Sequence, residues 1–424
     1  MATIEDMQDF TIQQLQTYTI EELEETFATR IELSDPGLLY RVFKYNSVDY
    51  RNFVISYGTI SRDAKNIIAG TVDVELANTD SSWDVFLMDD AGGEQGSLYK
   101  EGVLKINLPA GKKLFTGYAD TVTFDGAVAR LTFKDKLSKV LDKTVGSEES
   151  PVDYYSSSYN PADLVWAILT TYGGIDSTAS TANVDIDYTQ WSAWKTDCTA
   201  LDFSLEANCT GETIGELIHE IAYLTASFIY VDGTGKFTFY RLLPNPTEAI
   251  YEIDSSKYLM GRKLVIERDR SDLVNDVTCY YDLNVGADTW ADSVDAEDTD
   301  SQDENWGTVA KIHEEKVVWH ATEASAQEFC NRQIDVYSYP LELVTFTMPL
   351  SGADRVVGER LDITMPMPGG YTNMAAVIWR IDYDIMENAT AEIMVRNASG
   401  DILDAFRLDH ATLGLLDEST NPLY

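Results

Sequence analysis

Residues that could do chemistry are scattered along this chain, and their spacing defeats most catalytic readings. The 424 residues hold four histidines, His219, His313, His320 and His410. No two of them share a metal-ligand spacing alongside a cysteine, so core or surface roles are expected. Gly233-Thr-Gly-Lys236 imitates part of a phosphate-binding loop, yet Phe237 follows the lysine and the upstream glycine is missing. Neither a G-x-S-x-G elbow nor an H-E-x-x-H motif occurs. Between Gly286 and Gly307, Asp295, Glu297, Asp298, Asp300, Asp303 and Glu304 would suit a hard cation weakly. They lack the glycine and closing glutamate of a calcium loop, so a solvated surface loop is expected there. With 71 acidic residues, carboxylate pairs arise everywhere by chance, and spacing alone singles out no glycosidase dyad. No catalytic, cofactor-binding or metal-ligating residue is assigned, and no cofactor is expected.

The cysteines and aromatic clusters add little chemistry. Cys198, Cys209, Cys279 and Cys330 include no C-x-x-C pair; Cys198 and Cys209 could join in an oxidising compartment, but reduced thiols are expected. Tyr154-Tyr155, Tyr280-Tyr281 and the stretch Trp191 to Trp194 could make a sugar platform, although strands and interfaces use Tyr and Trp in the same way.

The elements that would position any site are mostly β. In Lys112–Asp135, alternating runs with Val122 and Phe124 on one side and Ala127, Ala129, Leu131 and Phe133 on the other flank Asp125-Gly126, a hairpin signal. Upstream, Leu104, Ile106 and Leu108 share a strand face that Pro109 closes. The same order returns near the C-terminus, where Leu361, Ile363 and Met365 precede Pro366 and two alternating runs follow within Ala375–Asn397, either side of Met386-Glu-Asn388. LKINLP and LDITMP match by residue class and spacing. Duplication explains the match; two unrelated proline-terminated hairpins would also produce it.

Further strands are expected at Leu39–Tyr45, Phe53–Tyr57 and Thr71–Leu76, with turns at Asn78–Ser82, Asp90–Gly93 and Pro109–Gly111 and a closing helix over Phe133–Leu141. A boundary by composition at Gly146–Asn160 opens an α+β unit. It has a helix from Pro161 to Leu169, another from Thr213 to Thr225, and a hairpin around Asp232–Gly235. Val274–Tyr281 reads as strand and Thr322–Tyr337 as helix. The first thirty residues repeat every eight, Thr3-Ile-Glu-Asp, Thr11-Ile-Gln-Gln, Thr19-Ile-Glu-Glu. They suggest either a staircase of short helical turns or one amphipathic helix, lying on a neighbour or on its own domain.

Charge narrows the partners. The formal net charge is −40 while 44% of residues are hydrophobic, which places the acidity on folded surfaces. Such surfaces repel nucleic acid, so DNA binding is not expected; a passage through which DNA slides would suit this sign, as would an acidic coat that keeps a salt-adapted or abundant protein soluble, or acidic patches that meet basic ones on a partner. MATIEDMQDF lacks a basic n-region and an apolar h-region, and no run reaches membrane-spanning length, so a soluble chain without export signal or membrane insertion is expected.

The succession VISYGTISRDAKNIIAGTVDVELANTDSSW, KLFTGYADTVTFDGAVARLTFKDKLSKVLD, IGELIHEIAYLTASFIYVDGTGKFTFYRL, VNDVTCYYD and VTFTMPLSGADRVVGERLDITMP resembles the tail hub proteins of tailed bacteriophages, over residues 40 to 400. The resemblance implies a mainly β chain with α+β content: two related small, tail-tube-like β-barrel domains plus a middle α+β domain. On that reading 1–33 is an arm, 34–146 the first barrel, 147–262 the middle domain, 263–285 with 339–397 the second barrel, 286–338 an acidic insertion and helix, and 398–424 a tail. It further implies a non-enzymatic homotrimer at the tail tip, in the virion after assembly in the host cytoplasm. Its partners would be tail tube, distal tail or baseplate, and tip or fibre proteins, and DNA would pass without specific binding. The eight-residue repeat and the 286–307 insertion are not parts of that pattern. The competing readings are a secreted or surface β-protein binding glycans through its Tyr and Trp clusters and, more remotely, a hydrolase with a site in Gly146–Trp194.

Overall fold

Alternating burial along the strands builds one large sheet, and a second, smaller sheet carries the helices. The structure is a computed structural model that describes residues 40–45, 48–50, 54–64, 66–77, 103–107, 113–125, 127–155, 158–242, 251–253, 264–349, 355–365, 371–385 and 390–397. The eight-residue repeat, the segment 398–424, the turns expected at 78–82, 90–93, 109–111 and 386–388, and His410 lie outside the described residues.

The first part of the chain supplies β1 (Tyr40–Tyr45), β2 (Val48–Tyr50), β3 (Val54–Asp63), β4 (Thr71–Ala77), β5 (Val103–Asn107), β6 (Lys113–Asp125) and β7 (Val128–Lys134). The expected hairpin is present, with Asp125 opposite Val128. Leu104, Ile106, Ala129, Leu131 and Phe133 are fully buried, as the period of two requires. The helix expected over Phe133–Leu141 is a correction: Phe133 remains a core residue of β7, and only one 3-10 turn, Leu137–Lys139, follows.

The middle of the chain gives β8 (Thr144–Val145), β9 (Val152–Asp153), α1 (Pro161–Thr171), α2 (Tyr188–Ala200), β10 (Leu205–Cys209), β11 (Glu212–Thr213), α3 (Ile214–Leu224), β12 (Ser227–Val231) and β13 (Phe237–Arg241). Asn160 caps α1 through the Ala162 amide, with proline in the first turn. Thr213 and Glu216 form a capping box at α3, whose Ile214, Leu217, Ile218, Ile221 and Leu224 are all buried. The sequence reading missed α2, which Asp187 caps and which buries only Trp191, Trp194 and Cys198.

The last part comprises β14 (Tyr251–Ile253), β15 (Leu264–Asp269), β16 (Asp276–Asn284), β17 (Thr289–Glu297), β18 (Ala310–His313), β19 (Val318–His320), α4 (Glu323–Tyr337), β20 (Leu341–Pro349), β21 (Arg360–Met365), β22 (Tyr371–Asp384) and β23 (Thr390–Asn397). The solvated loop expected over 286–307 is a second correction. Thr289–Glu297 pairs antiparallel with β16 as the last strand of the smaller sheet, and two short helical turns, Thr299–Ser301 and Gln302–Trp306, follow. An edge strand facing water tolerates the acidic residues that suggested a loop; only Val294 is buried. β16, expected with the second β unit, runs instead in this smaller sheet, which among the described residues has six strands, ordered β17-β16-β19-β10-β9 with β18 beside β16.

Among the described residues the large sheet has thirteen strands, β15-β20-β23-β22-β3-β4-β7-β6-β5-β1-β2, with β21 beside β22 and β14 beside β21. It contains the same arrangement twice. β3-β4-β7-β6-β5 in the first half is repeated as β15-β20-β23-β22-β21 in the second, with the same chain order. The correspondence holds residue by residue. Leu104 faces Gly117 as Leu361 faces Ala376, Val72 faces Phe133 as Val344 faces Val395, and Asp125 faces Val128 as Asp384 faces Thr390. Leu104, Val72 and Phe133, like Leu361, Val344 and Val395, are buried to within one per cent. The architecture is therefore mainly β, with two related strand arrays and an α+β unit whose segments lie between the arrays in sequence and, as β16–β19 and α4, inside the second one between β15 and β20.

Candidate assembly interface

Among the described residues, no group of three or more His, Cys, Asp or Glu is placed to hold a metal ion. The candidate residues end in structural settings. Gly233–Gly235 is the turn between β12 and β13, where the Asp232 carboxylate accepts from the amides of Thr234 (2.8 Å) and Lys236 (2.9 Å). His313 and His320 are buried; His320 Nδ1 lies 2.7 Å from Ser325 Oγ, and burial with nearby His313 lowers its pKa to about 3. All four cysteines are free and buried.

The tryptophans of the Trp191–Trp194 cluster are buried. Trp191 and Trp194 are 8% and 2% exposed, and their indole N–H groups donate to Ala162 O (2.9 Å) and Ser227 Oγ (2.7 Å). Tyr154 packs edge-on against Tyr159, Tyr155 tilts against Trp319, and Tyr280 tilts against Trp290. Tryptophans committed to the core in this way cannot present the platform that glycan binding requires.

The geometry instead builds a strand seam. β22 is long enough to serve two neighbours on one edge: Arg360–Ile363 of β21 pairs with Met374–Val377, and Ile60–Asp63 of β3 pairs with Arg380–Tyr383. Between these two pairings Trp379 bulges out, because Ile378 faces Val395 and Arg380 faces the next residue back, Met394. A bulge bends a strand and increases its twist, which lets one strand leave the first partner and meet the second.

The seam is polar and closely matched. Arg380 lies 2.8 Å from Asp382 and 3.7 Å from Asp63, and the Ser61 hydroxyl donates to Asp382. The Arg62 guanidinium is buried between Tyr230 and Tyr383, 4.8 Å and 5.5 Å from their ring centres. Burial works against that charge, but Tyr383, Tyr230 and Asp232 around it keep its pKa raised. Sequence reasoning missed these residues. The available signal was the opposed charge in SRD and RIDYD, two stretches otherwise patterned as strand.

The α+β unit rests on this sheet. Thr116 Oγ1 of β6 donates to Gly233 O at 2.6 Å, and a Cβ on Gly233 would meet Lys113 O at 1.8 Å, so only glycine allows the approach. A cavity of about 360 Å³ lies where α3 and α4 face β22 and β23, lined by His219, Tyr223, Lys311, Arg332, Trp379 and Arg396. Burial pushes Arg396 down to about 10, and its guanidinium stands 5.6 Å from the Trp379 ring centre.

Two solved structures repeat this architecture. One is the 43 kDa tail protein of prophage MuSo2 from Shewanella oneidensis, at 14% identity and TM-score 0.50, covering 84% of this chain and 98% of that one. The other is the tail protein from Neisseria meningitidis MC58, at 12% identity and TM-score 0.52, covering 85% and 97%. The chain is similar in fold to these two tail proteins. No family model and no curated protein matches the sequence. The mainly β fold with α+β content expected from the succession of motifs is the fold observed, with the two expected strand units running in one sheet. Among the described residues no helix is long and apolar enough to cross a membrane.

Proposed function

We propose that this chain is a structural, non-enzymatic tail protein of a virion, three copies of which close into a ring at the tail tip. The observation that supports this reading is the repetition of one five-strand array within a single sheet. A chain carrying two equivalent arrays side by side lets three subunits present six similar faces, which adapts a six-fold tube to three-fold tip components. A surface that meets a different surface of the next copy gives a ring where the rotation closes. The ring's neighbours would be other tail proteins: tube on one side, baseplate, tip or fibre components on the other.

The charge supports the same reading. A net charge of −40 suits a lumen that DNA crosses without adhering. Light scattering on the purified protein tests the assembly state. A stable species of three times the 47.4 kDa chain is the expected result, and a monomer at every concentration overturns the ring.

A further inference from the structure

We infer that the second half of β6, Thr121–Phe124, pairs antiparallel with the Arg268–Asp269 end of β15 in the next copy of this chain, making the joint between subunits. This rests on the ring reading and assigns its contact. The argument begins with β6, which is built like β22. Val103–Ile106 of β5 pairs with Phe115–Tyr118 of β6, just as β21 pairs with the first half of β22. Asp120 then bulges out, because Ala119 faces Phe133 and Thr121 faces Thr132, just as Trp379 does in β22. Beyond the bulge, β22 carries β3 on the edge that β21 has left. Beyond its own bulge, β6 has no strand on that edge among the described residues. An exposed strand edge of this kind is a template for pairing with another chain.

The occupant follows from the same correspondence. β3 fills the edge of β22, and the counterpart of β3 is β15, the terminal strand of the sheet among the described residues. Thr71 faces both Thr59 and Lys134, and its counterpart Leu343 faces both Glu267 and Arg396. Thr59 therefore corresponds to Glu267, and Ile60 and Ser61 correspond to Arg268 and Asp269. Since Tyr383 faces Ile60 and Asp382 faces Ser61, their counterparts Phe124 and Thr123 face Arg268 and Asp269 of the neighbour. The geometry is heterologous, one end of the sheet against the other end of the next. It repeats between subunits the seam already made within one, as a closing ring requires.

Side chains agree with this assignment. Val122 and Phe124 are half-buried at the margin of the sheet's core, and Thr121 and Thr123 are exposed. The corresponding seam residues Ile60, Ser61, Arg62 and Asp63, which have their neighbour, are all at or below 8% exposure.

The test is a cysteine cross-link in the full chain. Thr123→Cys with Asp269→Cys, oxidised under mild conditions, should give a covalent ladder ending at a closed trimer. Thr123→Cys with Arg268→Cys should give none, since neighbouring strand residues point to opposite faces. A control ladder as strong as the test ladder, or a ladder stopping at dimers, overturns the joint. No ladder in a protein that still has the mass of three chains also overturns it while leaving the ring standing. No ladder in a monomeric protein removes both. Should the double variant fail to fold, amide exchange on the unaltered protein decides: slow exchange at Thr121–Phe124 supports the joint, and exchange as fast as at free edges overturns it.

Discussion

Asp120 and Trp379 occupy the same place in the two strand arrays: each bulges out of its long strand's pairing with the following strand, two positions after the pairing with the preceding short strand ends. Chance resemblance between two hairpins explains matching apolar faces, but not a bulge at the same point in strands that also share their order and register. The duplication suggested by LKINLP and LDITMP is thus a property of the whole arrays.

Matching core positions should respond alike. Leu104→Ala and Leu361→Ala each remove a fully buried side chain from a corresponding site. Each should cost about 2–5 kcal/mol, read as a shift in the denaturation midpoint. A loss from one position and none from the other would argue that only one array is cooperatively packed.

Gly233 offers a sharper steric test. Gly233→Val places a side chain against the Lys113 carbonyl, where even a Cβ would stand at 1.8 Å. The β12–β13 turn must lift from β6 and break the Thr116 hydrogen bond to Gly233 O. Overpacking of this kind costs about 1–3 kcal/mol, and faster proteolysis at Asp232–Gly235 is the expected signature.

Acid should loosen the α+β unit through His320. Its pKa is held down to about 3 by burial and by His313, whereas the unfolded chain titrates at about 6.5. Between those values the unfolded state binds a proton that the folded state refuses. This contribution to stability is therefore complete above pH ~6.5 and is lost as pH falls toward ~3. Asp135, pushed up to about 6 by burial against the hydrogen bonds from Gly70, Ser138 and Leu137, acts in the opposite sense, losing stability as pH rises through that value. The difference between the unaltered protein and His320→Asn isolates the histidine. The variant should show a shallower fall in melting temperature between pH 6.5 and 4, and parallel curves would contradict the assignment.

The tryptophans of α2 are expected to matter for stability and not for sugar recognition. Trp194→Ala should cost about 3–5 kcal/mol, since the ring stacks on Phe239 and donates to Ser227. Specific glycan binding by the unaltered protein, lost in this variant without loss of stability, would favour the competing reading.

Much of this fold was legible because its strands keep a strict period of two. Leu104 and Ile106 or Leu361 and Ile363 announce their faces in sequence, and α3 announces itself through Thr213, Glu216 and its apolar stripe. The parts that escaped have weak or misleading patterns. In α2 only Trp191, Trp194 and Cys198 are buried among Thr, Gln, Ser and Lys, and in β17 acidic residues line an edge that faces water. The seam escaped for a different reason. Arg62, Asp63, Arg380 and Asp382 read as solvent-facing charges until β3 and β22 are brought together across more than 300 residues of sequence.

An image reconstruction of the purified protein, resolved well enough to place strands, tests the central claim most directly. The account predicts one three-fold ring in which the two arrays of each subunit alternate around a common axis, with β6 of one copy against β15 of the next. A two-fold dimer, or arrays of neighbouring copies that never adjoin, would contradict it.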